Sequence, residues 1–126
     1  FDQRHTFNVF AQQRLSYRLT VSTKLRIGSN VPLVGYFEGT TVPEDLTLSI
    51  TRNDVRLPMY ARLDVRANRT FTFKRSRMTL FVEVMNLIGR DNLRQTDGRI
   101  RVNLDAVGFV DRLLPRVPSA GLLFEF

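Results

Sequence analysis

The chain has 126 residues, of which 43% are hydrophobic and 25% charged, which is the size and composition of one globular domain and not of a disordered segment. Its 19 Lys and Arg against 12 Asp and Glu give a formal net charge of +7, which indicates an anionic neighbour such as nucleic acid, lipid phosphate or an acidic ligand. The absence of cysteine excludes disulfides and thiolate metal sites, and no apolar run approaches the roughly 18 to 20 residues of a membrane-spanning helix.

Period-two alternation of apolar and polar residues predicts that the chain folds as β-strands. In chain order, the predicted strands lie near residues 5–15, 17–28, 59–73, 77–88 and 113–126. Each is at least as long as the roughly 9 to 11 residues that a tilted strand needs to cross a bilayer. The sequence therefore predicts an all-β fold, an antiparallel up-and-down meander of these strands.

The third predicted strand separates its two faces most cleanly. Its apolar face includes Leu63, Val65 and Phe71. Its polar face includes Arg62, Asp64, Arg66 and Asn68. Arg69 is the one charge on the apolar face, and a cation there costs about 2 to 4 kcal/mol at a bilayer midplane but much less near an interface. We therefore expect Arg69 to lie near an interface.

Short and long connections alternate along the predicted meander. Residues 15–17 and 74–77 are short links, whereas residues 28–58 and 89–112 are long. In a meander, short and long links fall at opposite ends of the sheet. This asymmetry is typical of bacterial outer-membrane barrels, which have short periplasmic turns and longer extracellular loops.

Two registers are open for the third and fourth strands. A turn of residues 74–75 places Arg66 opposite Glu83, whereas a turn of residues 74–77 places Asn68 there, and the sequence does not decide between them. Two-residue hairpin turns need positive φ and therefore prefer Gly or Asn, neither of which is present. On that ground we favour the longer turn.

Four segments of the chain resemble the last strands of TonB-dependent outer-membrane receptors. They are DQRHTFNVFAQ (2–12), RLPMYARLDVRANRTF (56–71), FVEVMNLIGRDN (81–92) and GLLFEF (121–126). The resemblance implies that residues 57–64 open a late barrel strand and that residues 83–87 close the next one. It also implies that the terminal Phe126 is read by the barrel-assembly machinery. These motifs are individually loose, and their order and spacing carry the resemblance.

The resemblance implies a location and a function. Residues 1–126 would be the carboxy-terminal segment of a receptor barrel in the Gram-negative outer membrane, forming wall, lumen lining and extracellular loops for energised ligand uptake by the complete protein. Its partners would be outer-membrane lipid, lipopolysaccharide, the remaining barrel strands and the plug. Nothing in the sequence resembles the plug domain through which family members engage the TonB-type energy-transducing protein, so this chain alone should not transport a ligand.

An open sheet of this size cannot sit alone in lipid. Unpaired backbone groups on its two edges would cost several kcal/mol each, in total on the order of tens of kcal/mol. We therefore expect the sheet to be part of a larger transmembrane β-barrel whose other strands are supplied elsewhere. The first residues contain no initiator Met or signal core, so we expect the chain to start after processing or, as we prefer, inside a longer polypeptide.

The barrel interpretation assigns roles to several residues. The lumen-facing candidates are Arg62, Asp64, Arg66 and Asn68. The candidates for ligand contact in the extracellular loops are Arg52, Asn53, Asp54 and Arg56, where solvated loop charge is the alternative role. Positive charge in the long loops is expected to meet lipopolysaccharide phosphates or an anionic ligand. The candidates for an interfacial aromatic girdle are Tyr36, Phe37 and Tyr60. The alternating residues Ile100, Val102 and Leu104 predict a short ribbon outside the membrane.

No enzymatic chemistry is indicated. His5 is the only histidine, so a metal site would need carboxylates for nearly every other ligand. No serine lies in a nucleophile-elbow pattern, and the glycines form no phosphate-binding loop. We expect no cofactor, no metal and no catalytic residue.

The alternative is a soluble basic β-protein that binds nucleic acid through strand arginines and stacking aromatics. This alternative requires the aromatic rings to lie on the same solvent-exposed face of the sheet as the arginines. Phe71 and Phe73 instead alternate with the arginines and share the apolar face with Leu63 and Val65. We therefore favour the barrel and expect no nucleic-acid partner.

Overall fold

A computed structural model describes residues 4–40 and 45–126 of the chain. Within these ranges the protein is all-β and contains no helix. The strands in chain order are β1 (Thr6–Ser16), β2 (Leu19–Gly28), β3 (Phe37–Glu38), β4 (Thr47–Leu48), β5 (Tyr60–Thr72), β6 (Arg77–Met85), β7 (Leu93–Gln95), β8 (Arg99–Ile100), β9 (Ala106–Val107), β10 (Val110–Arg112) and β11 (Val117–Glu125). A helix long and apolar enough to cross a membrane is not found in the described part of the chain.

The five long strands form one antiparallel sheet in the order β1-β2-β5-β6-β11. Each long strand pairs with the next long strand along the chain, which is the predicted meander. The prediction of an all-β fold with a five-stranded antiparallel sheet is confirmed. In the described part of the chain the sheet is open, with β1 and β11 at its edges.

The chain divides into two compact units. The sheet unit consists of Phe7–Arg26, Arg62–Arg90 and Pro115–Phe126. The loop unit consists of Phe1–Thr6, Ile27–Ala61 and Asp91–Leu114. The sheet unit holds most of the five long strands, and the loop unit holds the two long connections together with the short strand pairs β3/β4, β7/β10 and β8/β9.

The register of β5 and β6 corrects our preference for the longer turn. Arg66 lies opposite Glu83 and Thr72 lies opposite Arg77, while the Phe73 N–H donates to the Ser76 carbonyl at 2.8 Å. Only two residues, 74–75, therefore connect the paired positions. Neither has positive φ, since the non-glycine residues with positive φ among the described ones are Asn53, Asn86 and Leu104. The turn avoids the mirror-image geometry that demands Gly or Asn, which is why Lys74 and Arg75 fit.

The loop unit is built around a hydrophobic core of its own. The core residues are Leu33, Phe37, Leu46, Val55, Leu57, Ala106 and Val110. Backbone contacts join the two long connections, because the Ala106 N–H donates to the Leu46 carbonyl at 2.7 Å and the Leu48 N–H donates to the Leu104 carbonyl at 3.2 Å. The two connections thus fold into one packed structure.

Two predictions for the loop residues need correction. Phe37 is not a surface girdle residue, because it is only 6% exposed and its ring packs 4.7 Å from that of Phe109 in the loop core. The predicted ribbon forms only at Ile100, whose strand β8 pairs with β9. Val102 and Leu104 lie in the connection between these two strands and are exposed.

Candidate functional site: the two faces of the sheet

The register places most apolar side chains of β5, β6 and β11 on one face, while Phe81, Met85, Val117 and Leu123 lie on the other. Paired residues share a face, and side chains alternate along each strand. Val65 lies opposite Val84, which lies opposite Pro118, and the same relation holds at every second position. The apolar face defined in this way consists of Leu63, Val65, Ala67, Arg69, Phe71, Met78, Leu80, Val82, Val84, Pro118, Ala120, Leu122 and Phe124. Arg69 is its one charged residue.

This apolar face is not the wall of a core. Among residues 4–40 and 45–126, every buried hydrophobic side chain belongs to the loop unit. On the sheet, Val82 is 49% exposed, Leu122 66% and Phe124 55%, and Leu63 and Val65 are only partly buried. Contiguous exposed apolar surface of this kind is rare on monomeric soluble proteins and marks a contact with a partner or with lipid.

Arg69 shows how a charge is accommodated on the apolar face. Its guanidinium carbon lies 5.1 Å from the ring centroid of Phe71, within cation–π distance. Phe71 is two residues nearer the short turn at residues 74–75, so the Arg69 head group is directed toward that end of the sheet. Long cationic side chains can keep their aliphatic stem on apolar surface while the charged head group reaches water.

The opposite face carries all four lumen-facing candidates. Arg62, Asp64, Arg66 and Asn68 alternate with the apolar residues of β5, and β6 contributes Glu83 opposite Arg66. The Arg66 Nε donates to the Asn68 Oδ1 at 2.9 Å. This polar face contains a concavity of about 260 Å³ lined by Lys24 of β2 together with Arg62, Asp64, Arg66 and Glu83. The structure thus brings the four candidates together on one polar, concave surface.

Two aromatic rings interrupt the polar face. Phe10 of β1 lines the concavity, and Phe81 of β6 lies beneath the guanidinium of Arg66, whose carbon is 4.4 Å from the ring centroid. Gly121 lies directly opposite Phe81, and a Cβ on this glycine would come within 2.5 Å of the ring. The missing side chain of Gly121 therefore makes room for the ring across the strand pair.

Asp64 connects the first part of β5 to the turn that follows β6. The Arg62 Nε donates to both carboxylate oxygens of Asp64, at 2.7 and 3.0 Å. The backbone N–H of Asn86 donates to the Asp64 Oδ1 at 2.9 Å. Asn86 itself has a left-handed φ of 53°, and its side-chain Nδ2 donates to the Arg90 carbonyl at 3.0 Å. Residues 57–64 and 83–87, which belong to two of the four segments quoted for the resemblance, therefore contact each other through Asp64.

In the loop unit, the side-chain amide of Asn92 makes the two hydrogen bonds to the Ala61 backbone that a neighbouring strand would otherwise make. Its Oδ1 accepts from the Ala61 N–H at 2.9 Å, and its Nδ2 donates to the Ala61 carbonyl at 2.8 Å. Asn92 is 3% exposed. A side-chain amide that copies a backbone pair satisfies both polar groups of a buried residue, which otherwise cost about 1 to 3 kcal/mol each.

Sequence reasoning did not single out Asn86, Asn92 or the pairing of Phe81 with Gly121. A usable signal existed for Asn86, because Asn tolerates positive φ and Gly89 follows three residues later. The Asn92 contact spans 31 residues of sequence and leaves no local pattern. Only the folded register reveals it.

The loop candidates for ligand contact lie in one turn region of the loop unit. Asn53 has a structural function there, because its Oδ1 accepts from the Gly35 N–H at 2.9 Å and its own N–H donates to the Gly35 carbonyl at 2.7 Å. Arg56 lies at a backbone bridge to Pro32. Arg52 and Asp54 are exposed. The described residues include no group of three or more His, Asp or Glu arranged to hold a metal ion.

The net positive charge of the chain lies in the sheet unit, and the loop unit has a net negative charge. The sheet unit contains 12 Lys and Arg against 3 Asp and Glu, whereas the loop unit contains 7 against 9. The formal charges are therefore +9 and −2, which together give the +7 of the chain. The expectation of excess positive charge in the long loops is wrong, because nearby carboxylates such as Asp91 and Asp111 outnumber the loop arginines.

Comparison of the chain with protein-family models, with curated proteins and with solved structures finds no match in any of the three. The two faces of the sheet therefore provide the main argument for function.

Proposed function

We propose that this chain forms five wall strands of a TonB-dependent receptor barrel in a Gram-negative outer membrane. In this proposal, β1, β2, β5, β6 and β11 are membrane-spanning wall strands. The polar face lines a water-filled lumen, and the loop unit is extracellular. The transported ligand would be taken up by the complete receptor, with its plug and energy-transducing partner.

The observation that carries the proposal is the apolar face of β5, β6 and β11. None of the residues assigned to this face is buried and Arg69 is its single charge, while the opposite face is mostly polar and concave. A transmembrane barrel needs this distribution, because its outer side contacts hydrocarbon and its inner side contacts water. In a soluble β-sandwich the distribution is the opposite, because the apolar face is buried in the core and the polar face contacts water.

The open edges support a larger barrel. Every residue of β1 is exposed, and β11 forms the other edge of the sheet. In lipid, each unpaired backbone group on these edges would cost several kcal/mol, so spanning sheets close into barrels. Further strands on both sides of this sheet would satisfy those groups.

The placement of the aromatic residues disfavours nucleic-acid binding. Phe71 lies on the apolar face, paired with Met78, and not among the arginines of the polar face. Phe10 and Phe81 do lie on the polar face, but Arg66 covers one side of the Phe81 ring. Phe10 then offers a single exposed ring, which is not a series of rings on which successive bases stack. A stacking platform needs aromatic rings that are open to bases.

Thiol labelling in intact cells tests the proposed topology, because the chain contains no cysteine of its own. Ile50 is 98% exposed in the first long connection, and Arg75 is exposed in the tight turn between β5 and β6. The proposal expects a membrane-impermeant maleimide to label the Ile50→Cys variant in intact cells. It expects the Arg75→Cys variant to react only after the outer membrane is permeabilised. Equal labelling of both in intact cells, or recovery of the protein in the soluble fraction, would contradict it.

A further inference from the structure

The short-turn end of the sheet concentrates positive charge. This end is formed by residues 14–18, 69–77 and 122–126, which contain the two tight turns and the end of β11. Within these segments the cations are Arg14, Arg18, Arg69, Lys74, Arg75 and Arg77. Glu125 is the one acidic side chain among them. Half of the 12 cations of the sheet unit therefore lie at this end.

Internal ion pairing accounts for little of this charge. Arg77 approaches Glu125 at 4.0 Å, and both side chains are more than half exposed. An exposed pair at this distance is weak. The polar-face arginines differ, because Arg62 is held by both oxygens of Asp64 and Arg66 is held between Asn68 and Phe81.

Aromatic side chains accompany the cations at the same end. Tyr17 is 77% exposed, and the Arg18 guanidinium carbon lies 4.8 Å from its ring centroid. Phe73 is 54% exposed beside Lys74. The rings of Phe124 and Phe126 are 5.9 Å apart. Exposed aromatic rings next to exposed cations fit the boundary of a bilayer, where rings lie at the level of the head groups and cations reach the phosphates.

We propose that the short-turn end binds the phosphodiester head groups of anionic phospholipids in the adjacent leaflet. Arg18, Lys74 and Arg75 provide the phosphate contacts, and Tyr17 and Phe73 lie at the base of the head groups. Arg69 extends the positive surface onto the lipid-facing side of β5. This inference rests on the proposed function, because it takes the short-turn end to lie at a membrane surface.

Lipid binding to the detergent-solubilised protein tests this inference. Native mass spectrometry measures the affinity for phosphatidylglycerol and for phosphatidylcholine with the same acyl chains. The test variant is R18Q/K74Q/R75Q, and the matched control with the same charge change is R99Q/R101Q/R112Q in the loop unit. A third variant, R18K/R75K, retains the charge. The test variant removes all three proposed phosphate contacts, so we expect it to bind phosphatidylglycerol about tenfold more weakly than the parent protein, or weaker still.

The variants separate the outcomes. The inference expects the parent protein to prefer phosphatidylglycerol, the loop control to keep that preference, and R18K/R75K to remain within about threefold of the parent, since the charge is preserved. It is overturned if the parent shows no preference, or if the loop control loses affinity as much as the test variant.

The lipid accessibility of a probe at position 65, measured on the same preparation, reports the proposed function separately. A lipid-exposed probe without a phosphatidylglycerol preference refutes the head-group site alone. A probe shielded from lipid refutes the barrel.

Discussion

The carboxylate of Asp64 in β5 holds the backbone N–H of Asn86, the residue that follows β6, at 2.9 Å. The same carboxylate accepts two bonds from the Arg62 side chain. Asn86 has a left-handed φ, which an extended strand does not adopt. The hydrogen bond to Asp64 therefore stabilises the first residue of the turn after β6. The relationship joins residues 57–64 to residues 83–87, two of the segments on which the proposed receptor resemblance rests.

Removal of the Asp64 carboxylate should loosen this turn. Asp64→Ala deletes charge-assisted bonds to Asn86 and Arg62, and we expect a loss of about 1.5 to 3 kcal/mol in the free energy of unfolding. Guanidinium unfolding in detergent measures the loss, and hydrogen exchange of the amides of residues 86–90 localises it. The control is Asp91→Ala, whose partner Arg112 lies at 3.8 Å with both side chains about two-thirds exposed. An equal effect of the two substitutions would contradict the role of Asp64.

Asn92 and Gln95 make the same pair of bonds at different depths, which allows a matched comparison. Each side-chain amide bonds both the N–H and the carbonyl of one backbone residue, Ala61 for Asn92 and Val34 for Gln95. Asn92 is buried and Gln95 is exposed. We expect Asn92→Ala to cost about 2 to 5 kcal/mol, because two buried groups lose their partners, and Gln95→Ala to cost less than about 1 kcal/mol, because water replaces its bonds. Similar unfolding midpoints for the two variants would refute this difference.

The close approach of Gly121 to Phe81 predicts a strong coupling between these positions. Gly121→Ala places a Cβ within 2.5 Å of the ring and should displace it from beneath Arg66, at a cost of about 1 to 3 kcal/mol. In a Phe81→Ala background, the same substitution should be nearly neutral. A double-mutant cycle measures the coupling, which we expect to exceed about 1 kcal/mol. Additive effects would show that the ring does not pack on Gly121.

Neighbouring residues of β11 distinguish lipid from water on the apolar face. Ala120 lies on the apolar face and Ser119 on the polar face, and both are exposed. In water, arginine at either exposed position is tolerated. In a bilayer, Ala120→Arg should cost about 2 to 4 kcal/mol if the position is near the midplane, whereas Ser119→Arg should cost less than about 1 kcal/mol. The yield of folded protein in the membrane fraction provides the readout, and equal yields would argue against lipid contact.

The sheet could be predicted because the alternation of apolar and polar residues that identifies its strands lies within short stretches of the sequence. Alternation at every second residue identifies strands and faces, as in residues 62–72 of β5, and the predicted strand ranges agree with the observed ones to within a few residues. The face assignment of Arg62, Asp64, Arg66 and Asn68 followed from the same period.

The turn at residues 74–75 was harder to predict. The known preference for Gly or Asn applies to the common two-residue hairpin turns, whose residues have positive φ. Lys74 and Arg75 do not have positive φ, so that preference does not apply to them. The two candidate registers differ by two residues and keep the same side chains on each face, so the alternation of apolar and polar residues could not decide between them.

The hydrophobic core of the loop unit was not predicted, because its residues do not recur at a regular spacing in the sequence. Phe37, Val55 and Val110 come from distant parts of two irregular connections, and only their contacts in three dimensions show that they are buried. Aromatic and aliphatic residues in a long loop are equally compatible with exposure at an interface. The sequence therefore supported a girdle role for Phe37 that its packing against Phe109 excludes.

The central claim is that the apolar face of the sheet contacts hydrocarbon while the opposite face contacts water. Spin labels on single cysteines at positions 63 to 68 of β5 test it directly in membranes from cells that produce the protein, with collisional accessibility to oxygen, which partitions into lipid, and to a water-soluble nickel complex. We predict high oxygen accessibility at positions 63, 65 and 67 and high nickel accessibility at positions 64, 66 and 68. Low accessibility of positions 63, 65 and 67 to both reagents would show a sealed protein core and would contradict the account.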